Sequence, residues 1–544
     1  MYSVSLRYNQ VGNMYIQQIN TKQNGKIYPS LVLCESYRKN GKPKRRVLAT
    51  ITKWPKHIID GLRILLKGGT ISCLDDLQSA QGKSFGALWV LFQIAKRIGL
   101  VSALGNSKNA KLALLQIIAR CISPSSRLHI SNYWPQHYAI EEVLKIKESF
   151  DEYDLYNNLD WLNNNQQRIE KKLFVSKHNE AKIKEIYLYD VTSSYFEGDK
   201  NELSEFGYNR DKKKGKKQIV IGLLCDLDGD PISVEVFKGN TSDLSTFSSQ
   251  LQKLKEEYGV EQVVMVGDKG MIKTKQIDQI NQMGWNYITS ITKAQIETLL
   301  KLGAIQMEMF EDEPIEVEME DGLRYILRRN AYRADLIQNN RNEKLKYIAM
   351  YVSQQNTYLE EHLRAKTEKA VERIEKKIKK FKLQSLITIT GEDRKIRMTI
   401  EEEIKVEKEL LDGCYVIKTE LTKDQISATQ AHKRYKELSK VEHAFRTMKT
   451  GIEHLRPIFL RNAGRTRGHV FVCMLAYKIL HRMRTQIDKI DQFPTMKEMI
   501  KSLEAIHYSS YKYENQPIKM LPSKYNPTQE KILEKLKIKM PNKL

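Results

Sequence analysis

The sequence predicts a mixed α/β protein built from several structural units. Apolar residues alternate with a period of two in residues 1 to about 60, whereas they recur every three or four positions between residues 65 and 183. From residue 184, short apolar runs and helical patterns follow one another in the order βββαβαβ, which is typical of a mixed α/β sheet. A chain of 544 residues has room for roughly three to five such units.

The α/β order depends on five strand signals. The predicted strands cover residues 186–189, 218–224, 232–237, 263–266 and 287–291. The fourth is an unbroken apolar run of the kind found in a central parallel strand that is covered on both faces. One predicted helix begins at Ser242-Asp243 and ends at Gly259, and a second covers about 272–283.

The N-terminal part of the chain divides by period and charge. Residues 1–64 predict a basic β-rich domain whose short strands flank the turn Asn40-Gly41. Residues 65–183 predict a helical domain, with apolar stripes that form its core and a role in DNA binding or dimerisation.

The C-terminal part predicts an insertion and then helices. Residues 300–426 contain strand-like pieces, such as 347–351, and one very charged helix at 359–383, which together indicate an insertion within a larger domain. Helical periodicity returns at 427–486, and residues 487–544 predict a helical tail.

The charge balance predicts a polyanionic partner. Lys and Arg number 90 against 66 Asp and Glu, so the formal net charge is +24. Residues 1–60 carry eleven basic residues against only Glu35 and Asp60. Such a surface favours nucleic acid, because each neutralised phosphate releases condensed counterions. An ordinary solvated hairpin would also account for the charge of the N-terminal segment.

Composition excludes several classes of protein. With 41% hydrophobic and 29% charged residues, the chain is too apolar for disorder and too charged for a membrane bundle. It lacks the apolar core of a signal peptide and the ~18–20 apolar residues of a membrane span. Its six cysteines lie far apart and its eleven histidines show no ligand spacing. We expect a cytoplasmic protein without a membrane partner, a small-molecule substrate, disulfides or structural zinc.

Two aspartates follow predicted central strands. Asp190 comes directly after the first strand, and Asp268 comes just after the apolar strand that ends in Val266. Functional groups collect beyond the carboxyl ends of central strands in open α/β sheets, so these two side chains can converge. Carboxylate oxygens suit Mg²⁺, and two ions about 4 Å apart would support phosphodiester chemistry. The alternative is that one aspartate caps a helix and the other ends a turn.

A third acid lies on a helix near residue 440. The helical period places Tyr435, Leu438, Glu442 and Lys449 on one stripe, since offsets of −7, −4, 0 and +7 nearly return to the same angle. Arg446, four residues after Glu442, could be a simple ion-pair partner.

These residues resemble the catalytic helix of bacterial insertion-sequence DDE transposases of the IS-four-like superfamily. That helix carries the pattern Tyr-x2-Arg-x3-Glu-x6-Lys, and Tyr435, Glu442 and Lys449 match it, whereas Leu438 replaces the Arg. Similarity extends over about 186–480, and its other segments are Tyr189-Asp190-Val191-Thr192, Asp228-Gly229-Asp230-Pro231, Phe237-Lys238-Gly239-Asn240, Asp268-Lys269-Gly270-Met271, Arg456-Pro457-Ile458 and Arg467-Gly468-His469. The basic N-terminus and the helical region resemble the branch with long N-termini.

The resemblance implies an RNase H-like catalytic domain with a β-rich insertion. Its core would comprise 184–299 and 427–486, with the insertion at 300–426. Asp190, Asp268 and Glu442 would be the catalytic residues and would hold two Mg²⁺ ions, for which Mn²⁺ would substitute. The implied reaction is hydrolysis at the ends of the element, followed by attack of the freed 3′-OH on target DNA. The implied partners are double-stranded terminal inverted repeats and target DNA, bound by a homodimer associated with the nucleoid.

The DNA-binding residues predicted from charge and from the resemblance fall into three groups. Tyr435, Lys449 and Lys269 would lie near the scissile phosphate, and Arg434 or Arg446 could make the phosphate contact that Leu438 cannot make. A basic loop before the second strand would track the backbone through Arg210, Lys212, Lys213 and Lys214. Arg465 and Arg467 would do so after the Glu helix.

Two other functions remain open at this point. An RNase H-like nuclease would cut without joining, and a non-catalytic relic would bind DNA only.

Overall fold

A computed structural model describes residues 13–23, 26–69, 78–177, 185–198, 200–211, 213–450, 455–456, 458–487, 494–513, 516–522 and 524–541. The chain divides into two compact units. The first comprises Met1–Gly82, His507–Ser523 and Pro541–Leu544, and the second comprises Lys83–Ile506 and Lys524–Met540. Among the described residues, no helix is both long and apolar enough to cross a bilayer.

The described strands are, in chain order, β1 (Met14–Gln23), β2 (Lys26–Lys39), β3 (Lys42–Thr50), β4 (Gln78–Ser84), β5 (Glu185–Tyr195), β6 (Gln218–Asp226), β7 (Pro231–Lys238), β8 (Val263–Val266), β9 (Asn286–Ser290), β10 (Ile315–Glu318), β11 (Arg324–Arg329), β12 (Ile387–Glu392), β13 (Lys395–Ile400), β14 (Cys414–Thr419), β15 (His507–Tyr513) and β16 (Gln516–Met520).

The described α-helices are α1 (Lys56–Leu66), α2 (Gly86–Arg97), α3 (Leu100–Leu104), α4 (Lys108–Ile122), α5 (Arg127–His137), α6 (Ile140–Leu144), α7 (Glu152–Lys177), α8 (Asp243–Gln252), α9 (Thr274–Gln282), α10 (Lys293–Lys301), α11 (Ala331–Glu361), α12 (Thr367–Phe381), α13 (Glu402–Leu410), α14 (Ala428–Lys436), α15 (Leu438–Thr450), α16 (Ala463–Ile487), α17 (Met496–Glu504) and α18 (Pro527–Leu536). A π-helical turn, Lys253–Glu257, continues α8.

The first unit contains two small antiparallel sheets. Strands β1, β2 and β3 form one, and β16, β15 and β4 form the other. The predicted turn between β2 and β3 is confirmed, and both Asn40 and Gly41 adopt positive φ, at 54° and 74°. Those values are typical of the tight turns whose twist matches that of a hairpin.

The second unit is organised around an eight-stranded mixed sheet. Its order is β10-β11-β14-β9-β8-β5-β6-β7, with β8 parallel to both β5 and β9. The predicted order βββαβαβ is confirmed, and so is the central position of β8, whose four residues are all buried. Helices cover both faces of the sheet near β5. Tyr187 and Tyr189 pack with Phe247 of α8 on one face, and α15 covers the other.

Two predictions for residues 300–426 are wrong. Residues 347–351 lie within α11 rather than in a strand, and the charged helix begins at Thr367 rather than at 359. In α11 the buried residues Leu345, Ile348 and Val352 recur at helical spacing and pack against α12, which outweighs the local strand preference of the aromatic and β-branched residues between them.

The β-rich character expected for the insertion is also not observed. Its longest element is the 31-residue helix α11. The strands β10, β11 and β14 join the main sheet, and only β12 and β13 form a separate hairpin. The helical tail expected at 487–544 also contains two strands, β15 and β16.

The long helix α16 packs closely against α7 at Gly468. A Cβ at this position would lie 2.1 Å from the carbonyl oxygen of Leu159, a backbone atom that cannot move without separating the helices. We expect Gly468→Ala to lower the free energy of unfolding by about 1–3 kcal/mol, measured by denaturant titration. Gly464→Ala in the same helix is the control, because the atoms nearest its Cβ belong to side chains at 3.2 Å. Equal losses in the two variants would contradict the assigned contact.

Candidate active site

Asp190 lies inside β5, not after it as the sequence indicated. Residues 191–195 continue the strand because they pair with β6, with Asp190 itself opposite Leu223. On the other side, the neighbouring strand β8 ends at Val266, opposite Leu188. The Asp190 side chain therefore lies just beyond the end of β8, on the face of β5 covered by α15, since Thr192 on that face contacts Lys449.

Asp268 lies where the sequence predicted, in the turn after β8. Its main-chain oxygen accepts the N–H groups of Met271 and Ile272, which fixes the turn. The Tyr435 hydroxyl lies 3.3 Å from Asp268 Oδ1 and 2.7 Å from Ser290 Oγ at the end of β9. This phenol therefore connects α14 to the ends of two parallel strands.

Glu442 reaches the same region from α15. The helical segment predicted for residues 435–449 is interrupted by a turn at Glu437, so Tyr435 belongs to α14 and Glu442 to α15. The carboxylate of Glu437 pairs with Arg434 at 3.2 Å, so one of the two arginines that could act in place of a family arginine at position 438 is already engaged.

Asp190, Asp268 and Glu442 line one cavity of about 320 Å³. Its other lining residues are Val191, Thr192, Arg210, Asp243, Gly270, Met271, Phe445, Arg446 and Lys449. The carboxylates lie apart in it, since no three His, Cys, Asp or Glu side chains in the described part of the chain group closely enough to hold a metal ion. The cavity thus collects acids from three distant parts of the sequence without forming a closed ligand cluster.

The acids of this cavity influence one another. Burial and the nearby Glu442 and Asp268 carboxylates raise the pKa of Asp190 to about 7, against the opposing effects of the Val191 N–H and of Arg210. Burial and the same two carboxylates raise the pKa of the Tyr435 phenol above its usual range. Negative charge is therefore concentrated at this point.

A fourth acid, Asp243, was not identified as functional from the sequence. It is the first residue of α8, and its carboxylate accepts both hydrogen bonds from the Arg210 guanidinium, at 2.7 and 2.8 Å. A Cβ placed on Gly270 would lie 3.9 Å from Asp243 Oδ2 and 4.0 Å from Asp268 Oδ2, so both oxygens approach the same point. The only sequence signal was its position at the start of a helix.

Lys449 is buried rather than presented to solvent. Its ammonium donates to Thr192 Oγ1 at 2.7 Å and to Asp211 Oδ1 at 3.0 Å. Arg456 bonds to the same Asp211 oxygen, and the Tyr195 N–H donates to Oδ2 at 3.2 Å. Burial lowers the pKa of Lys449, and Asp211 opposes that shift. Asp211 therefore joins β5, α15 and the segment before α16.

Asp211 was not identified from the sequence. It lies within the basic run that begins at Arg210, so the only signal was a single acid among cations. In that run Lys213 and Lys214 are exposed, and Lys213 lies 5.7 Å from the centre of the Tyr195 ring. Lys212 lies outside the described residues.

The remaining predicted DNA contacts differ in how exposed they are. Lys269 is exposed in the turn after Asp268, and Arg446 is exposed at the rim of the cavity. Arg467 is half-buried on α16. Arg465 bonds to Asp160 at 2.9 Å and therefore connects α16 to α7.

The sheet and the cavity define a mixed α/β protein with carboxylates gathered beside the ends of its central strands. Two family models match this chain. The model described as "Transposase DDE domain" matches residues 182–477, and the one described as "IS1634 family transposase, N-terminal domain" matches residues 16–75. The first spans more than half of the chain and includes all three acids. The chain therefore belongs to the DDE transposases of insertion sequences, and the family resemblance is confirmed.

Other comparisons add little. A structure titled as a cryo-EM structure of the piggyBac transposase synaptic complex with hairpin DNA aligns with 77% of this chain and 75% of its own, at 8% identity and a TM-score of 0.37. Similarity at that level carries no argument. A search of curated proteins finds no match.

Proposed function

We propose that this transposase cuts the ends of its insertion sequence and joins the freed 3′-OH groups to target DNA by divalent-metal-dependent phosphoryl transfer. Asp190, Asp268 and Glu442 would be its catalytic metal ligands. The observation that carries the proposal is that these three acids, from β5, the turn after β8 and α15, line one cavity.

The strand order supports an RNase H-like core. Strands β7, β6 and β5 are antiparallel neighbours, and β8 and β9 continue the sheet in parallel from β5. In sequence order of the five strands this is 3-2-1-4-5, with the first acid on the central strand and the second after its parallel neighbour. We propose that the core comprises 184–299 and 427–486, with the largely helical segment 300–426 inserted between its two parts.

The donor set fits a hard divalent cation. All three candidate ligands are carboxylates, and Mg²⁺ prefers oxygen donors. The raised pKa of Asp190 reflects negative charge that nothing in the cavity fully compensates, which a cation would do. We propose two Mg²⁺ ions, with Mn²⁺ able to replace them, and expect binding to draw the carboxylates together. Bound ions would activate the attacking oxygen and stabilise the leaving one.

The protein's own residues would position the ligands and the DNA. Tyr435 holds the Asp268 side chain, while Lys449 and Asp211 hold α15, and with it Glu442, against β5. Arg446 and Lys269 are exposed beside the acids and would contact the end phosphate. The basic residues Arg210, Lys212, Lys213, Lys214 and Arg467 would extend that contact along the backbone. Cutting two ends together would require a homodimer on double-stranded terminal repeats.

Tyr435→Phe tests the positioning of Asp268. Removing the hydroxyl leaves the ring in place but deletes the contacts to Asp268 Oδ1 and Ser290 Oγ. We expect end cleavage to fall by about 10–100-fold, with a higher metal concentration needed for half-maximal rate, because residues that orient metal ligands have effects of that size. Tyr208→Phe, at an exposed tyrosine, is the matched control. An unchanged metal requirement in Tyr435→Phe would contradict this role.

Strand transfer separates the proposed reaction from the alternatives. The DNA flanking the coding region would supply the inverted repeats, and a pre-cut end duplex would be incubated with supercoiled plasmid, Mg²⁺ and the full chain. The proposal predicts covalent joining of the end to the plasmid. Cutting of an uncut end without joining would support a nuclease, and DNA binding without cutting or Mn²⁺ binding would support a non-catalytic relic.

A further inference from the structure

The hairpin of β2 and β3 extends beyond the third strand of its sheet. The pairing of β1 with β2 begins at Met14 and Glu35, and the Ser36 N–H still bonds to the Asn13 carbonyl. Among the described residues, 37–39 and 42–44 pair only with each other, around the turn at Asn40 and Gly41. We call residues 37–44 the ribbon. At about 3.3 Å per residue, each strand with its turn residue projects about 13 Å.

The ribbon and its base are strongly cationic. Residues 36–46 include six basic side chains and no acid. The six are Arg38, Lys39, Lys42, Lys44, Arg45 and Arg46. Every residue from 37 to 48 is exposed. Little of this charge is neutralised within the sheet, since Arg46 pairs with Glu35 at 2.6 Å and Arg45 bonds to the neutral Gln17.

The cations occupy both faces of the ribbon. Cross-strand partners share a face, so Lys39 and Lys42 lie together, and Lys44 lies with Tyr37 on that same face. Arg38 lies on the opposite face, with Pro43 as its partner. An ordinary sheet edge needs charge only where it meets water, whereas an element between two rows of phosphates benefits from charge on both faces.

We propose that the ribbon enters the major groove of double-stranded DNA. The major groove of B-form DNA is about 12 Å wide and admits a two-stranded β-ribbon. The three lysines would contact phosphates along the walls, and Arg38 would bind the O6 and N7 edge of guanine. The proposal rests on the proposed transposase function, and it assigns recognition of the DNA end to a part of the chain distinct from the acids.

The test measures DNA binding by the full chain. The probe is a 60-base-pair duplex that carries one terminal repeat from the DNA flanking the gene, titrated at several salt concentrations. The ribbon variant is K39A/K42A/K44A, and the matched control is K369A/K379A/K380A, which removes three exposed lysines from α12. We expect the ribbon variant to lose affinity at least about tenfold and to reduce the log–log salt slope by about three, whereas the control keeps both.

A second probe tests the groove. In it, 7-deazaguanine replaces guanine, which removes N7 from the major groove without changing the phosphates. We expect the modified duplex to bind wild type more weakly, and Arg38→Lys to be less sensitive to the change. Equal affinity and slope for the ribbon variant and wild type would overturn the proposal. Equal binding of both duplexes by wild type would overturn its placement in the groove.

Catalysis is scored separately so that the two proposals can fail independently. At protein concentrations above its own dissociation constant, the ribbon variant should still join pre-cut ends to plasmid. Asp190→Asn should bind the duplex normally and join nothing. Normal joining with unaffected binding by the ribbon variant would overturn the ribbon alone, whereas a wild-type chain that binds but never joins would overturn the catalytic proposal alone.

Discussion

Asp190→Asn, Asp268→Asn and Glu442→Gln are each expected to lower end cleavage and strand transfer by at least about a thousandfold. Each substitution keeps the shape of the side chain but removes the negative charge needed to hold a divalent cation. The three residues line one cavity, so loss of any one should impair the same site. The measurement is single-turnover cleavage of an end duplex in Mg²⁺, repeated in Mn²⁺.

The control for this prediction keeps the charge change but moves it. Asp228→Asn removes an exposed carboxylate that lines the neighbouring cavity on the other side of Glu442, and it should cut at nearly the wild-type rate. All four variants should bind the end duplex within about twofold of wild type. Cutting at near wild-type rates by Asp190→Asn and Glu442→Gln would refute the assignment of these acids as metal ligands.

Asp211→Ala is expected to cost about 3–5 kcal/mol of stability, which is the usual effect of removing one partner from a buried ion pair. The Asp211 carboxylate is only 3% exposed and contacts both Lys449 and Arg456. Its loss would leave two cations without their anion at the junction of β5 and α15. The measurement is the midpoint of the thermal unfolding transition at neutral pH.

A double-mutant cycle distinguishes loss of the ion pair from general damage. Lys449→Met removes the buried cation while keeping most of the aliphatic chain. Asp211→Ala combined with Lys449→Met should be more stable than Asp211→Ala alone, because one uncompensated charge has gone with its partner. Strictly additive losses would mean that the two residues do not stabilise each other. Cleavage should remain low in the double variant, since α15 also carries Glu442.

Local patterns predicted much of the sheet. The apolar run at 263–266 indicated a buried parallel strand, and β8 has that position. The boundary of β5 was less predictable, because Thr192, Ser193 and Ser194 lack an apolar signal and continue the strand only through pairing with β6. Similarly, 347–351 looks like a strand by composition, and its helical state depends on packing against α12.

The candidate site shows the same division. Spacing and resemblance identified Asp190, Asp268 and Glu442, and all three line one cavity. Lys449 also matched, but its spacing could not indicate whether it contacts solvent or Asp211. Neither Asp211 nor Asp243 had a sequence signal strong enough to separate it from an ordinary surface acid.

The amino-acid sequence by itself determined the family, the order of the core strands and the excess of positive charge, because these depend on residue types and on their spacing along one element. Only the tertiary structure decided which charges remain exposed. Lys449, Arg456 and Arg465 are bonded to acids far away in the sequence, whereas the residues of the β2–β3 ribbon remain in solvent. A cation's availability depends on its distance to an anion in space, and that distance is set by packing rather than by sequence separation.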